Sequence, residues 1–216
     1  MDPRERMIDT IAAEARETGG STGRHRFSDA VMAAMRAVPR DAFVPDDLAR
    51  HAWDDRPLPI GDGQTISQPF IVALMTDLLD PAPHHRVLEV GTGCGYQAAV
   101  LARLVAAVYT VECLGELGRT AAETLSRLGV DNVHVRIGNG RDGWPEAAPF
   151  DRIIVTAGAR SVPPPLVEQL VPGGRMVIPV GTGRMGQQLV LLTKDAAGNP
   201  HERALLPVAF VPLAGG

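Results

Sequence analysis

Cysteine is scarce in this chain of 216 residues: Cys94 and Cys113 are the only two, too few for a disulfide framework, and both are expected as reduced thiols. Lysine is scarcer, with Lys194 alone among the arginines, a bias of coding sequence that carries no mechanism. The net charge is −4 and no basic run occurs, so the electrostatic footprint of a nucleic-acid surface is missing. No apolar stretch nears the ~18 residues of a spanning helix. The opening Met-Asp-Pro-Arg-Glu-Arg also lacks the apolar core of a signal peptide. A cytoplasmic monomer is expected. The histidines His25, His51, His84, His85, His134 and His201 are scattered without ligand spacing, which predicts no metal.

What is present is an ordinary globular composition, 45% hydrophobic and 21% charged, in a length suited to one α/β domain. Met7, Ile8, Ile11 and Ala15 recur at helical spacing until Gly19-Gly20-Ser21-Thr22-Gly23 breaks the pattern. Ser28 is a candidate N-cap for a second helix carrying Val31, Met35 and Val38, ended by Pro39. From Phe43 to Pro69 the sequence is irregular, too long for an ordinary connection, and predicts an ordered binding loop. A helix over 70–79 follows. From residue 86 strands (86–90, 107–111, 132–137, 151–156, 174–180) alternate with helices near 95–105, 114–128 and 163–170, which predicts a parallel sheet covered on both faces. Apolar runs at 188–193 and 204–211 around Ala197-Gly-Asn-Pro200 predict an antiparallel edge hairpin.

The sharpest local signal is Arg86-Val-Leu-Glu-Val-Gly-Thr-Gly-Cys-Gly-Tyr96. A buried strand ends at Glu89-Val90 and opens into Gly91, Gly93 and Gly95, with Thr92 and Cys94 between them. The spacing is G-x-G-x-G rather than the dinucleotide pattern. Glu89 would set a carboxylate where a pyrophosphate should lie. That favours a cofactor without phosphates, such as S-adenosylmethionine (SAM), over a glycine turn with no ligand. Cys94 reads as a small loop-filling residue, although a helix N-terminus can activate a thiol. Glu112 ends the next strand 21 positions after Gly91, the separation expected of a carboxylate on ribose hydroxyls, with Cys113 beside it. After the third strand, Asn139-Gly140-Arg141 forms a turn where an adenine edge could be read, Asn139 accepting through its amide oxygen. Thr156 ends the fourth strand, where a structural role competes with a site role.

A second signal lies outside this core. Pro57-Leu-Pro-Ile-Gly-Asp-Gly-Gln-Thr-Ile-Ser-Gln-Pro69 places Thr65, Ile66 and Ser67 in a loop able to cover a site, Ser67 being also a fair N-cap for the next helix.

Together with Phe43-Val-Pro45, Val87–Ala98, Val108–Glu112, Phe150–Ala157, Gln169–Gly181 and Phe210–Leu213, these segments resemble the protein-L-isoaspartate O-methyltransferases nearly end to end. Thr65-Ile-Ser-Gln-Pro69 separates that family from other SAM-dependent methyltransferases. The resemblance implies a Rossmann-like, doubly wound, mainly parallel sheet with an N-terminal helical elaboration. Residues 1–80 would bring helices and the substrate loop, 81–216 the core and final strands. It implies methyl transfer from SAM, leaving S-adenosylhomocysteine, to the free carboxylate of L-isoaspartyl residues in damaged proteins. Ser67 would be the active-site serine. Thr65, Ile66, Ser67, Glu89, Gly91, Thr92, Gly93, Gly95, Glu112, Cys113, Asn139, Gly140, Arg141 and Thr156 would form the cofactor site. Three residues depart from the family's usual pattern: Asn139 stands for aspartate, and Gly158 and Arg160 fall in a stretch usually Thr-Ala-Ala-Ala-Pro. The competing readings are a methyltransferase acting on an aspartate of one dedicated biosynthetic peptide, and a SAM-binding module without catalysis.

Overall fold

The computed structural model describes residues 2–182 and 186–213. The chain opens with α1 (Pro3–Thr22), whose first turn is capped by the Asp2 side chain accepting from the Arg4 N–H at 2.9 Å. This helix runs through the glycines expected to break it. Gly19 lies within the helix under the His25 ring, so closely that a Cβ at position 19 would stand 2.1 Å from the ring, which leaves room there for glycine alone. The break comes at Gly23 in the left-handed region. Ser28 caps α2 (Asp29–Ala37) as expected, accepting from Val31 N–H at 3.3 Å.

The stretch Phe43–Pro69 is more regular than its composition predicts. It holds a 3₁₀ turn at Asp46–His51 and a small antiparallel hairpin, β1 (Leu58–Gly61) and β2 (Gln64–Ile66), closed by Asp62-Gly63. Next comes α3 (Pro69–Leu79), buried almost all round. It contacts the sheet on one side and α1 and α2 on the other, so it has no solvent face to keep polar.

The core alternates as predicted: β3 (Arg86–Val90), α4 (Tyr96–Ala102), β4 (Ala107–Glu112), α5 (Gly115–Arg127), β5 (Val133–Ile137), β6 (Phe150–Val155), α6 (Pro164–Glu168), β7 (Leu170–Thr182), β8 (Gly186–Lys194) and β9 (Pro200–Val208). The sheet order is β5-β4-β3-β6-β7-β8-β9. The first four pairings are parallel and the last two antiparallel. Two elements differ from expectation. The helix near 163–170 is short, because β7 begins already at Leu170, and the edge hairpin stops at Val208 instead of 211. Residues 209–213 leave the sheet and run back to Gly158.

Strand alternation divides the core into two layers. Val87 joins the cluster with α1, α2, α3 and α4, while Leu88 and Val90 pack with Ile153, Val155, Leu166 and Met176 on the opposite face. The strand order reverses between β3 and β6, so the loops after them diverge there and open a crevice beyond the strands' carboxyl ends. No helix among the described residues is long and apolar enough to cross a membrane.

Candidate active site

The crevice is floored by the loop that follows β3. The Gly91 N–H donates to Val111 O at 2.9 Å, tying the loop to β4. Gly91 has φ 98°, and a Cβ there would fall 2.4 Å from Thr156 Oγ1, so this position needs glycine. The Thr156 hydroxyl lies 2.6 Å from Gly91 O and 3.0 Å from Val90 O. It thereby locks the ends of β3 and β6 together while still facing the crevice. Glu112 holds the loop from the other side. Its Oε2 accepts from Gly93 N–H at 2.9 Å and its Oε1 from Leu114 N–H at 3.0 Å. Each carboxylate oxygen keeps lone pairs for a further donor.

Thr65, Ile66, Ser67, Gly91, Thr92, Gly93, Glu112, Cys113, Gly140 and Thr156 line one cleft, together with Cys94, Tyr96, Gln97, Val211 and Leu213. Four predicted residues do not line it. Gly95 is buried behind the loop against Leu125 and Ala121. Asn139 is exposed, and its Oδ1 caps the following turn by accepting from Arg141 N–H at 3.1 Å. Arg141 is the middle residue of that turn, Gly140–Asp142, half-buried and outside the cleft lining. Glu89 lies beneath the loop, fully buried, and neither carboxyl oxygen has a hydrogen-bond partner. Burial pushes its pKa up to about 8, and the nearby Glu112 charge adds to the rise. Thr110 opposes it from close by, and the Thr110 hydroxyl also pairs with that of Thr92 at 2.7 Å. Glu89 therefore does not supply the charge that bars a polyanion from the cleft. That falls to Glu112, the only charged side chain among the described residues lining it.

The donor set suits a cationic nucleoside: among the described residues no arginine, lysine or histidine lines the cleft, one carboxylate does, and the floor is backbone. Cys94 offers no competing chemistry, since burial pushes its thiol up to about 11, well short of a thiolate nucleophile at neutral pH.

A second hollow adjoins the first. It is bounded by Pro57, Gln68, Ile71 and Pro207–Phe210, and shares Thr65, Ser67, Thr156 and Val211 with the cleft. Ser67 therefore stands at the junction. It is not the helix cap: Gln68 occupies that position, without a side-chain cap bond, and the Phe70 N–H donates instead to Asp55 Oδ1 at 2.8 Å.

Sequence reasoning missed what holds this loop. Arg40 is fully buried and donates to Ala52 O, to Arg56 O at 3.1 Å and to Ser67 O at 3.0 Å, with its guanidinium 5.7 Å from the Tyr96 ring. Among the described residues no carboxylate forms an ion pair with this buried cation, and carbonyl dipoles compensate it. Gln68 Nε2 donates to Asp55 Oδ2 at 2.7 Å and, more weakly, to Glu14 on α1. Burial and the adjacent Asp55 push Glu14 up to about 8. The only signal for Arg40 was its place just before Phe43-Val-Pro45, which carries no spacing rule.

Fold and site together define a class I methyltransferase type of α/β protein, with a cleft at the switch point opening onto a second hollow. A model of the family described as protein-L-isoaspartate(D-aspartate) O-methyltransferase matches residues 21–216, and the chain belongs to that family. It is 57% identical over 209 residues to protein-L-isoaspartate O-methyltransferase 2 of Polaromonas sp., covering 97% of this chain and 99% of that one. To the Opitutus terrae protein-L-isoaspartate O-methyltransferase it is 59% identical over 185 residues, covering 86% and 79%. Among solved structures, a longer protein-L-isoaspartate O-methyltransferase superposes with TM-score 0.82 at 30% identity, covering 99% of this chain and 66% of that one. A Plasmodium falciparum chain of the same description, in complex with S-adenosyl-L-homocysteine, gives 0.76 at 25% identity, with 94% and 96% covered.

Proposed function

We propose that this chain transfers a methyl group from SAM to the free carboxylate of L-isoaspartyl residues in damaged proteins, with Ser67 positioning that carboxylate. The carrying observation is the junction: Thr65, Ser67 and Thr156 belong to both hollows, so a group in one meets a group in the other across a rim of hydroxyls. The cofactor, when bound, supplies an electrophilic methyl on a sulfonium. Gly91–Gly93 would lie along it, with Glu112 taking the ribose hydroxyls.

The accepting carboxylate is already ionised at neutral pH, with a pKa near ~3.5 to 4. No general base is needed, and the absence of an activated serine is in keeping with the chemistry. Attack in line on the methyl cancels a positive and a negative charge, so the residues contribute chiefly orientation, which is worth roughly 7 to 11 kcal/mol when complete. Ser67 donates its hydroxyl to the carboxylate or its neighbouring backbone and fixes the angle of approach. It is not a covalent nucleophile. The methyl ester then closes to a succinimide by attack of the following backbone nitrogen with loss of methanol, and hydrolysis returns part of it to normal aspartate.

The proposal includes a cytoplasmic monomer acting on many proteins without nucleic acid. Its test is methylation of an isoaspartyl peptide beside its normal aspartyl twin: methyl incorporation confined to the former is expected, and equal labelling of both, or none, overturns it.

A further inference from the structure

The strap Ala209–Leu213 leaves β9 and crosses the mouth of both hollows. Val211 lines both of them, Ala209 and Phe210 line the second, and Leu213 lines the first. No sheet ladder holds it. Two devices do instead. The Gly158 backbone donates its N–H to Val211 O and accepts from Leu213 N–H, both at 2.8 Å. The Gln187 side chain then pairs with both backbone groups of Phe210, accepting from its N–H at 2.7 Å and donating to its carbonyl at 3.1 Å. A planar amide thus stands in for a missing strand. Gln187 is 2% exposed and lines neither hollow.

The two devices interlock. A Cβ on Gly158 would sit 2.3 Å from Gln187 Nε2 and 2.7 Å from its Cδ. The space that an alanine at 158 would occupy is filled by the Gln187 amide, so glutamine at 187 in this rotamer requires glycine at 158.

We propose that Gln187 and Gly158 are a matched pair of positioning residues that fixes the strap and so sets the width of the substrate hollow. The inference rests on the second hollow receiving the isoaspartyl substrate. Removing the amide leaves the buried N–H and carbonyl of Phe210 unpaired, and the strap shifts to find partners. Peptide binding then suffers more than cofactor binding, because the loop after β3 and Glu112 are not held by the strap.

The test is steady-state methylation of an isoaspartyl peptide with peptide and SAM varied separately. Gln187→Ala and the volume-keeping Gln187→Met should each raise the peptide KM roughly 10-fold, while the SAM KM and kcat change less than about twofold. Gly158→Ala should raise the peptide KM by a similar factor alone. In the Gln187→Ala background it should add nothing, because the group it strikes is gone. A peptide KM unchanged in both Gln187 variants, or Gly158→Ala multiplying the effect of Gln187→Ala, overturns the pairing. Amide exchange at Phe210 reads the clamp independently of turnover. It should speed up in the Gln187 variants, and unchanged protection refutes the clamp. If the wild-type chain methylated no isoaspartyl peptide, the proposed function would fail while amide exchange still judged the clamp.

Discussion

On the cofactor side of the site, the groups that matter come from one unbroken βαβ unit. The end of β3 and the loop Gly91–Gly95 are tied to β4 by the Gly91 N–H on Val111 O and by the Glu112 carboxylate, which accepts from Gly93 and Leu114 N–H. The substrate side is assembled from pieces far apart in the chain. Ser67 rests on Arg40, Phe70 and Gln68 on Asp55, and the strap at Phe210 on Gln187. The first is a glycine-loop cradle read from short spacings, held by side chains at the ends of the neighbouring strands, Glu112 and Thr156. The second depends on single buried polar side chains, each holding a segment that has no ladder of its own. Loss of one such side chain should damage substrate handling while sparing the cofactor.

Arg40→Met is the hardest blow to that contrast. The carbonyls of Ala52, Arg56 and Ser67 lose their donor together, and unpaired buried groups cost about 1–3 kcal/mol each. Isoaspartyl kcat/KM should fall at least ~100-fold, since displacement of a reacting group by ~1 Å has that effect. SAM affinity measured by calorimetry should change less than about fivefold. Equal losses on both sides would show that the loop and the cradle are one unit.

Glu112→Ala strikes the other half. A charge-assisted pairing with two hydroxyls is worth roughly 1.5–3 kcal/mol, so the SAM Kd should rise on the order of 10- to 100-fold while the peptide KM at saturating SAM stays nearly constant. Unchanged SAM binding would remove the ribose assignment. Ser67→Ala should then give the converse at smaller scale. Turnover on the isoaspartyl peptide is expected to drop about 10-fold or more through loss of one orienting hydrogen bond, with SAM affinity intact. Turnover equal to wild type would leave Ser67 without its role.

The same contrast explains what could be read in advance. The alternating strands and helices, the glycine loop and Glu112 follow from local periodicity and short spacings, and the mainly parallel sheet with its antiparallel edge hairpin agrees with them. The small hairpin at 58–66 was hidden because its strands are short and interrupted by proline and glycine. Gly19-Gly20 misled because the glycine at 19 answers to the His25 ring packed against it rather than to a chain break. Arg40, Asp55 and Gln187 were invisible for another reason: each partner lies on a different element, and an isolated arginine, aspartate or glutamine has no pattern. Glu89 stood out in the sequence, yet folding put its carboxyl under the loop rather than in the cleft.

That buried carboxyl gives the smallest expected effect and a direct check on the cradle. Glu89 has a folded-state pKa of about 8 against 4.5 for an ordinary glutamate. Between those values the folded protein holds a proton that the unfolded chain has released, so stability is fully present below pH 4.5 and is lost as pH rises through 8. The slope for one such group is at most about 1.4 kcal/mol per pH unit. Glu14 is raised into the same range, so the wild-type decline has two sources. Comparing wild type with Glu89→Gln by denaturant unfolding at pH 5.5 and 8.5 cancels the Glu14 share and every other titration common to both. The variant should gain on wild type by ~1 kcal/mol or more on going to the higher pH. A difference that does not move with pH would mean that Glu89 titrates alike in both states. The cradle would then hold its carboxylate charged, with a compensating partner beneath the glycine loop.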